Sequence, residues 1–160
     1  MANMCAVDMH ITCMNPEGAR KVYVALQRER REAKRDTRRM FIGSDETYLE
    51  CQDLQLVPKV SLIDLYGEVR WGLSYSDMRM IVKWLKSLAD IQMIRCRMEG
   101  DGDELFGDYY YEGDKLTYRH VPYEHFPVFN PDHQSYYDDL EEALKKHGVT
   151  EDIDLEGNDG

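Results

Sequence analysis

The chain has 160 residues, of which 42% are hydrophobic and 32% charged, and its formal net charge at pH 7 is −11. This length predicts a single domain with a buried core, and the acidic balance disfavours direct binding to nucleic acid or to a membrane. No run of about 18 apolar residues occurs, so no membrane-spanning helix is predicted. Because no export signal is visible, the four cysteines are expected to be reduced, and the predicted location is the cytoplasm.

Charge is distributed unevenly along the chain. Residues 1–41 contain nine Lys or Arg and five Asp or Glu, whereas residues 42–160 contain 11 and 26. The acidic part favours a basic protein surface as partner. The same bipolarity would allow a homodimer, in which the basic stretch Arg28–Arg39 meets the acidic part of a second copy.

The N-terminal segment predicts a strand followed by a helix. Apolar residues alternate with polar ones from Cys5 to Cys13, which indicates a half-buried strand. Asn15 is typical of a helix cap and Pro16 of the first helical position. The helix is expected to continue to about Arg39.

The middle of the chain predicts short strands and a second helix. One short strand is expected over residues 47–52 and another over residues 60–65, with a turn at residues 66–68 before the next strand. Ser76 is the predicted cap of an amphipathic helix that ends near Leu88.

The remaining elements are a strand, a hairpin and a third helix. Alternation predicts a strand over residues 91–98, and Gly113-Asp114 is a two-residue turn typical of a hairpin. An extended segment is expected over residues 126–131 and a helix over residues 132–147, stopped by Gly148.

This order of elements predicts an α+β fold. The expected architecture is an antiparallel or mixed sheet with two helices packed on one face, in a ferredoxin-like split βαβ arrangement, plus a C-terminal helix. Residues 1–147 are assigned to a single domain. Residues 148–160 are assigned to a flexible acidic tail.

The hairpin segment, residues 99–114, is the first candidate for function, because it combines carboxylates and tyrosines and contains no Lys or Arg. Alternation along a strand would turn Tyr110 away from Tyr109 and Tyr111, so at least one tyrosine is expected at the surface. Exposed tyrosine among carboxylates suits an arginine-rich partner. The predicted partner-binding residues are Glu99, Asp101, Asp103, Glu104, Asp108, Tyr109, Tyr111, Glu112 and Asp114. The open alternative is an acidic surface that only keeps the protein in solution.

His10 is the candidate for an enzymatic alternative. It begins the triplet His10-Ile11-Thr12, and two-histidine phosphoesterases use two facing His-x-Thr/Ser strands. The second copy would be His133-Gln134-Ser135, which the pattern places at a helix start. A phosphoesterase or other small hydrolase using His10 is therefore the alternative function, while a polar histidine on a strand face is the simpler interpretation, and no catalytic residue is assigned.

No cofactor or metal site is predicted. A calcium loop beginning at Asp101 would place Leu105 and Phe106 at positions that need a ligand and a glycine. The C-terminal residues Asp152, Asp154 and Glu156 match only the first half of such a loop.

The chain resembles the YubB-like ferredoxin-like domain family of phages and plasmids. The resemblance depends on Met1-Ala2-Asn3 with Cys5, on Trp71, on the helix through Leu88 and on the segment ELFGDYYYEGDKL at 104–116. Met4 stands where the family has tryptophan, and the family's central Asn-Trp-Gly-rich segment is missing around residues 43–65. The family implies a fold and a mobile-element setting, and it implies no catalytic residues.

The favoured function is that of a non-enzymatic acidic binding protein of a mobile element. It would act as an inhibitor or nucleic-acid mimic that docks on a basic surface of a host nucleic-acid-binding or defence protein. A structural homo-oligomer without a catalytic role is the third hypothesis.

Overall fold

A computed structural model describes residues 4–35, 40–41, 48–70, 72–100, 106–122 and 136–157. The helices of these segments are α1 (Pro16–Arg35), α2 (Tyr75–Leu88) and α3 (Tyr136–His147). Their strands are β1 (Met4–Cys13), β2 (Met40–Phe41), β3 (Tyr48–Val57), β4 (Leu62–Arg70), β5 (Ile91–Gly100), β6 (Phe106–Glu112), β7 (Lys115–His120) and β8 (Val149–Ile153).

The strands form one antiparallel sheet in the order β2-β3-β4-β1-β5-β6-β7-β8. The two-residue β2 lies at one edge, and β1 is central between β4 and β5. The predicted α+β class with an antiparallel sheet is confirmed. The sheet is larger than the expected ferredoxin-like arrangement, because β6, β7 and β8 extend it beyond β5.

The two faces of the sheet differ in polarity. Alternation along β1 buries one side of the strand, namely Cys5, Val7, Met9, Ile11 and Cys13. The apolar sides of α1 and α2 belong to the same core cluster, with Ala19, Val22, Leu26, Met78, Ile81, Val82 and Leu85. The apolar sides of both helices therefore pack against this face of the sheet, and we call the opposite face the open face.

Side-chain caps fix the starts of α1 and α2. The Asn15 Oδ1 atom accepts a hydrogen bond from the Gly18 N–H at 2.8 Å, which confirms the predicted cap of α1. The cap of α2 is Ser74 and not Ser76, so that prediction is wrong by two residues. Ser74 and Asp77 form a reciprocal capping box, in which each side chain accepts a hydrogen bond from the other residue's backbone N–H.

Strands β3 and β4 are longer than expected. The prediction of a turn at residues 66–68 is wrong, because β4 runs through Gly67 without interruption. A Cβ atom at Gly67 would lie 2.6 Å from the Glu50 carbonyl oxygen, so glycine allows β3 to approach closely beside its irregularity between Cys51 and Asp53. Glycine here serves strand pairing and not a turn.

Residues 149–153, which were predicted to belong to a flexible tail, form a strand. Strand β8 pairs with β7, Ile153 is buried in the core, and the Arg79 side chain donates to the Asp154 carbonyl at 2.6 Å. The predicted stop of α3 is confirmed, since the Gly148 N–H donates to the Leu144 carbonyl at 2.9 Å. The extended segment predicted for residues 126–131 lies outside the described residues.

Helix α3 lies on the open face. Its Glu141 carboxylate accepts a hydrogen bond from the Arg97 guanidinium on β5. Ala143 and Leu144 pack against Val121 in a small apolar cluster separate from the main core. The helix therefore borders the β5–β6 part of the open face.

Candidate functional site: the open face of the sheet

Strand register arranges the polar side chains of the open face in rows. Cα pairing across five strands puts one row in the order Asp53, Tyr66, Asp8, Arg97 and Asp108. The neighbouring row is two residues away on each strand, and it contains Gln55, Asp64, His10, Arg95 and Tyr110. Because directly paired side chains of antiparallel strands lie about 5 Å apart, each row brings residues distant in sequence into contact range.

Four carboxylates surround Tyr66 on this face, and we call them the acidic ring. Asp53 and Asp8 are its partners on the two neighbouring strands, and Asp64 and Glu68 are two residues before and after it on β4. Tyr66 is half-buried, with part of its side chain accessible. The acidic ring thus surrounds an accessible aromatic ring with negative charge, across three strands that the pairing holds in fixed register.

Like charges meet directly at one edge of the acidic ring. Glu50 on β3 is the Cα partner of Glu68 on β4, and Glu50 is exposed. Directly opposed like charges on paired strands destabilise a sheet. The strand register therefore opposes two like-charged residues at this edge of the acidic ring.

His10 lies between two carboxylates of the acidic ring. Its Nε2 atom is 3.2 Å from an oxygen of Asp8 and 3.2 Å from an oxygen of Asp64. The three side chains are a third to under half exposed. Partial burial raises the pKa of Asp64; the His10 imidazole opposes this shift, and the carboxylates of Asp8 and Asp53 add to it.

A groove of about 320 Å³ opens beside His10 on the open face. The polar residues that line it are Asp8, His10, Arg95, Arg97, Asp108 and Glu141. Arg95 is exposed and is the Cα partner of His10. The groove therefore combines carboxylates and an imidazole on its β1 side with guanidinium groups on its β5 side.

Arg97 and Arg119 neutralise Asp108 at the α3 end of the groove. The Asp108 carboxylate, of which only 15% is exposed, accepts from the Arg119 guanidinium at 2.8 Å and from Arg97 at 3.5 Å. The hydrogen bond with Asp108 raises the pKa of Arg119. Arg97 also pairs with Glu141, so this network ties α3 to the sheet.

The two tyrosines predicted to bind a partner are core residues. Tyr109 and Tyr111 are each 2% exposed, and the Tyr109 hydroxyl donates to the Leu73 carbonyl at 2.7 Å. Tyr109 also stacks on Tyr118 with ring centroids 4.5 Å apart. Tyr110, which alternation turns to the other face, is 37% exposed.

The described carboxylates of the hairpin segment mostly have internal partners. Asp114 accepts from Lys86 and from the Tyr111 hydroxyl, both at 2.9 Å, and these bonds hold its pKa below the usual range. Glu112 accepts from the Tyr110 hydroxyl. Glu99 is half-buried, which raises its pKa, and its Oε1 atom has no hydrogen-bond partner among the described residues.

Several predicted residues lie outside the described residues. They are Asp101, Asp103 and Glu104 of the hairpin segment and His133, the second histidine of the enzymatic alternative. Partner binding by the hairpin segment and self-association through Arg28–Arg39 stay predictions. No helix in the described part of the chain is long and apolar enough to cross a membrane.

The acidic ring was missed from the sequence, although two of its three strands carry a visible signal. Asp8 and His10 alternate with apolar residues in β1, and Asp64, Tyr66 and Glu68 do the same in β4. Alternation shows that such residues share a face, but only the pairing of β4 with β1 brings the two sets together. The turn predicted at residues 66–68 interrupted the alternation of β4 at Tyr66, which is the centre of the acidic ring.

The chain matches no protein-family model, no curated protein and no solved structure. The resemblance to the YubB-like family therefore stays a prediction.

Proposed function

We propose that the protein acts by binding, and that the acidic ring is the surface on which a basic partner docks. The observation that carries this proposal is the partly accessible Tyr66 at the centre of four carboxylates. A guanidinium group can stack on a tyrosine ring while its N–H groups donate to carboxylates beside it. An ammonium group has neither the planar shape nor the fork of donors, so the site favours arginine over lysine.

Repulsion within the site supports a cationic ligand. Glu50 opposes Glu68 directly, and neither residue forms an ion pair with another described residue. Binding of a positive group would remove this repulsion, which contributes to affinity without any new contact. The net charge of −11 would attract such a partner over a longer range at low salt.

The biological role that fits this chemistry is inhibition of a basic protein in the cytoplasm. A carboxylate surface that occupies the nucleic-acid-binding surface of a host protein, including a defence protein, would act as a nucleic-acid mimic for a phage or plasmid. The clustering of the carboxylates on one sheet face supports this role, because it presents charge on a pre-organised surface.

Binding of labelled peptides tests the proposal directly. An arginine-only peptide and a lysine-only peptide of equal length are titrated with the protein by fluorescence anisotropy, at about 50 mM and about 200 mM salt. We expect tighter binding of the arginine peptide, weakening as salt rises, and loss of the preference for arginine in Tyr66→Leu. Equal binding of the two peptides, or an unchanged preference in Tyr66→Leu, would contradict the proposal.

Tyr110→Leu is the matched control, because Tyr110 is the exposed tyrosine of the hairpin segment. It is expected to leave the preference for arginine unchanged. If Tyr110→Leu removes that preference and Tyr66→Leu does not, the hairpin segment is the docking surface.

A small hydrolase that uses His10 is a second candidate. It is favoured by one observation, the position of the His10 Nε2 atom between two carboxylates in a groove that also contains Arg95. Guanidinium groups bind phosphate, and a histidine beside carboxylates is a common element of acid–base sites. Turnover of bis(p-nitrophenyl) phosphate that His10→Ala abolishes would support this candidate, and absence of turnover at any pH from 5 to 9 would rule out this class of substrate, in the range where imidazole titrates.

We also propose that residues 4–100 form a ferredoxin-like unit inside the larger sheet. With the two-residue edge strand β2 left aside, the chain order is β1–α1–β3–β4–α2–β5 and the strand order is β3-β4-β1-β5, which supports this proposal together with the shared core of both helices. On this proposal, β6, β7, α3 and β8 are additions at the β5 edge.

A further inference from the structure

We propose that Asp8, His10 and Asp64 bind a divalent transition-metal ion, Zn²⁺ or Mn²⁺, at the edge of the groove. The ion site shares Asp8 and Asp64 with the acidic ring, but it adds His10 and does not depend on Tyr66, so it can be tested without the basic partner. It also gives His10 a role that needs no second histidine.

The backbone holds the three side chains on one face. Asp8 and His10 are two residues apart on β1, and Asp64 is the Cα partner of His10 on β4. One donor atom from each of the three residues lies within 4.8 Å of the others, and the His10 Nε2 atom is 3.2 Å from each carboxylate oxygen. Donors that share an ion at bond lengths of about 2.0–2.2 Å lie about 3–3.4 Å apart. The arrangement thus needs only small side-chain rotations to close around an ion.

The donor set selects the class of ion. Ca²⁺ and Mg²⁺ prefer oxygen ligands alone, whereas imidazole nitrogen suits the transition metals. One imidazole with two carboxylates is a mixed set that Zn²⁺ and Mn²⁺ accept. Three protein ligands leave coordination positions for water or a ligand atom.

Arg95 indicates the chemistry of an additional ligand. It is exposed, it is the Cα partner of His10, and it lines the same groove as Asp8 and His10. Among the described residues it forms no ion pair. A phosphate group bound to the ion would therefore have a guanidinium group beside it.

Titration with Mn²⁺ alone tests the ion site, with free ion followed by electron paramagnetic resonance and without any peptide present. We expect saturable binding of one ion by the wild type. His10→Gln and Asp64→Asn are each expected to weaken it by at least about tenfold, the loss typical of a disrupted metal site. Asp53→Asn is the matched control, since it removes one charge of the acidic ring outside the ligand set and is expected to change affinity by less than about threefold.

Three results would overturn the ion site. They are no saturable binding, an unchanged affinity in His10→Gln, and an equal loss in Asp53→Asn and Asp64→Asn, which would indicate diffuse attraction of cations to the acidic ring. Thermal unfolding with Zn²⁺ gives a second readout, because ligand binding raises the unfolding temperature of the wild type but not of a folded His10→Gln. The peptide titrations contain no added metal ion, so absence of ion binding does not decide peptide binding, and the two proposals fail separately.

Inorganic phosphate tests the role of Arg95. We expect phosphate to bind the Mn²⁺-loaded protein, and Arg95→Gln to lose this binding while it retains Mn²⁺. Equal phosphate binding by Arg95→Gln would contradict that role.

Discussion

The hairpin segment and the acidic ring contain the same residue types, carboxylates with tyrosine, but their side chains have different surroundings. In the hairpin segment, Tyr109 and Tyr111 are buried, and Asp108 lies between two guanidinium groups. In the acidic ring, Tyr66 is half-buried, and Glu68 forms no ion pair with another described residue. The other three carboxylates of the acidic ring pair only with His10 or the Gln55 amide among the described residues, whereas Asp108 and Asp114 of the hairpin segment are paired with arginine or lysine.

This difference shows that a carboxylate is available to a partner only where the fold has not already neutralised it. Most described acids of the hairpin segment have a donor from their own or an adjacent element, so a basic partner would have to compete with Arg119, Lys86 or Tyr110. Substitutions in the hairpin segment should therefore affect stability, and substitutions in the acidic ring should affect binding.

The largest effect is expected for Tyr109→Ala. Removal of a buried aromatic side chain leaves a cavity, and the free energy of unfolding should fall by about 3–5 kcal/mol. Urea denaturation measures it. Tyr110→Ala, one residue away on the exposed side of β6, is the control and should change stability by less than about 1 kcal/mol. Similar losses for both variants would mean that the two tyrosines do not differ in burial.

Asp108→Asn is expected to lower the free energy of unfolding by less than Tyr109→Ala does. The substitution leaves the guanidinium groups of Arg97 and Arg119 without their shared carboxylate, of which only 15% is exposed. We expect a loss of about 2 kcal/mol, less than for a fully buried pair because Arg119 is 36% exposed. Chemical denaturation gives this value, and an unchanged midpoint would show that the network does not hold α3 or the sheet.

Glu68→Gln should instead stabilise the protein. It removes the like-charge pair with Glu50, and the expected gain is about 0.5 kcal/mol at low salt. Glu50→Gln should give a similar gain, and the double variant little more than either alone, because one repulsion is removed only once. Thermal unfolding at low and high salt tests this cause. A gain in stability that persists at about 1 M salt would not be electrostatic.

The smallest effects concern pH, where Glu99 and Asp114 should behave in opposite ways. Burial raises the pKa of Glu99 above its ordinary 4.5, so ionisation costs stability as pH rises through the raised pKa. Glu99→Gln is then more stable than the wild type at pH 7, and its advantage vanishes below pH 4.5. Lys86 and Tyr111 lower the pKa of Asp114 below 3.8, so its stabilisation is present above 3.8 and is lost as pH falls through the lowered pKa.

Unfolding midpoints across the acid range compare these two variants. Asp114 has φ of 61°, which asparagine tolerates, so Asp114→Asn keeps the turn and is slightly less stable than the wild type only above the lowered pKa. If both variants were more stable than the wild type at pH 7, or both less stable, the assigned surroundings of Glu99 and Asp114 would be contradicted.

The elements with strong local signals could be predicted from the sequence. The period-two pattern of Cys5–Cys13, the Asn15-Pro16 start of α1 and the Gly113-Asp114 turn all gave the correct element. The errors occurred where a distant contact decides the structure. Gly67 looks like a turn residue until β3 packs against it, and Val149–Ile153 looks like a polar tail until β7 offers a strand to pair with.

The candidate site depends almost wholly on such distant contacts. Asp8, Asp53 and Tyr66 become neighbours through the pairing of β1, β3 and β4. The hydrophobic pattern of each strand shows which residues share a face, but it does not show which distant strands pair. In the hairpin segment, alternation did indicate that Tyr110 faces away from Tyr109 and Tyr111. It did not indicate which side is the core, because β6 is acidic on one side and aromatic on both.

The most direct test of the central claim compares two double variants that remove the same charge. Asp53→Asn with Glu68→Gln neutralises half of the acidic ring, and Glu112→Gln with Asp114→Asn neutralises the tip of the hairpin segment. Binding of the arginine-only peptide is measured at low salt for both. We expect the first pair of changes to weaken binding by about tenfold or more and the second by less than about threefold. A greater loss in the hairpin variant would contradict the account and return the docking surface to the hairpin segment.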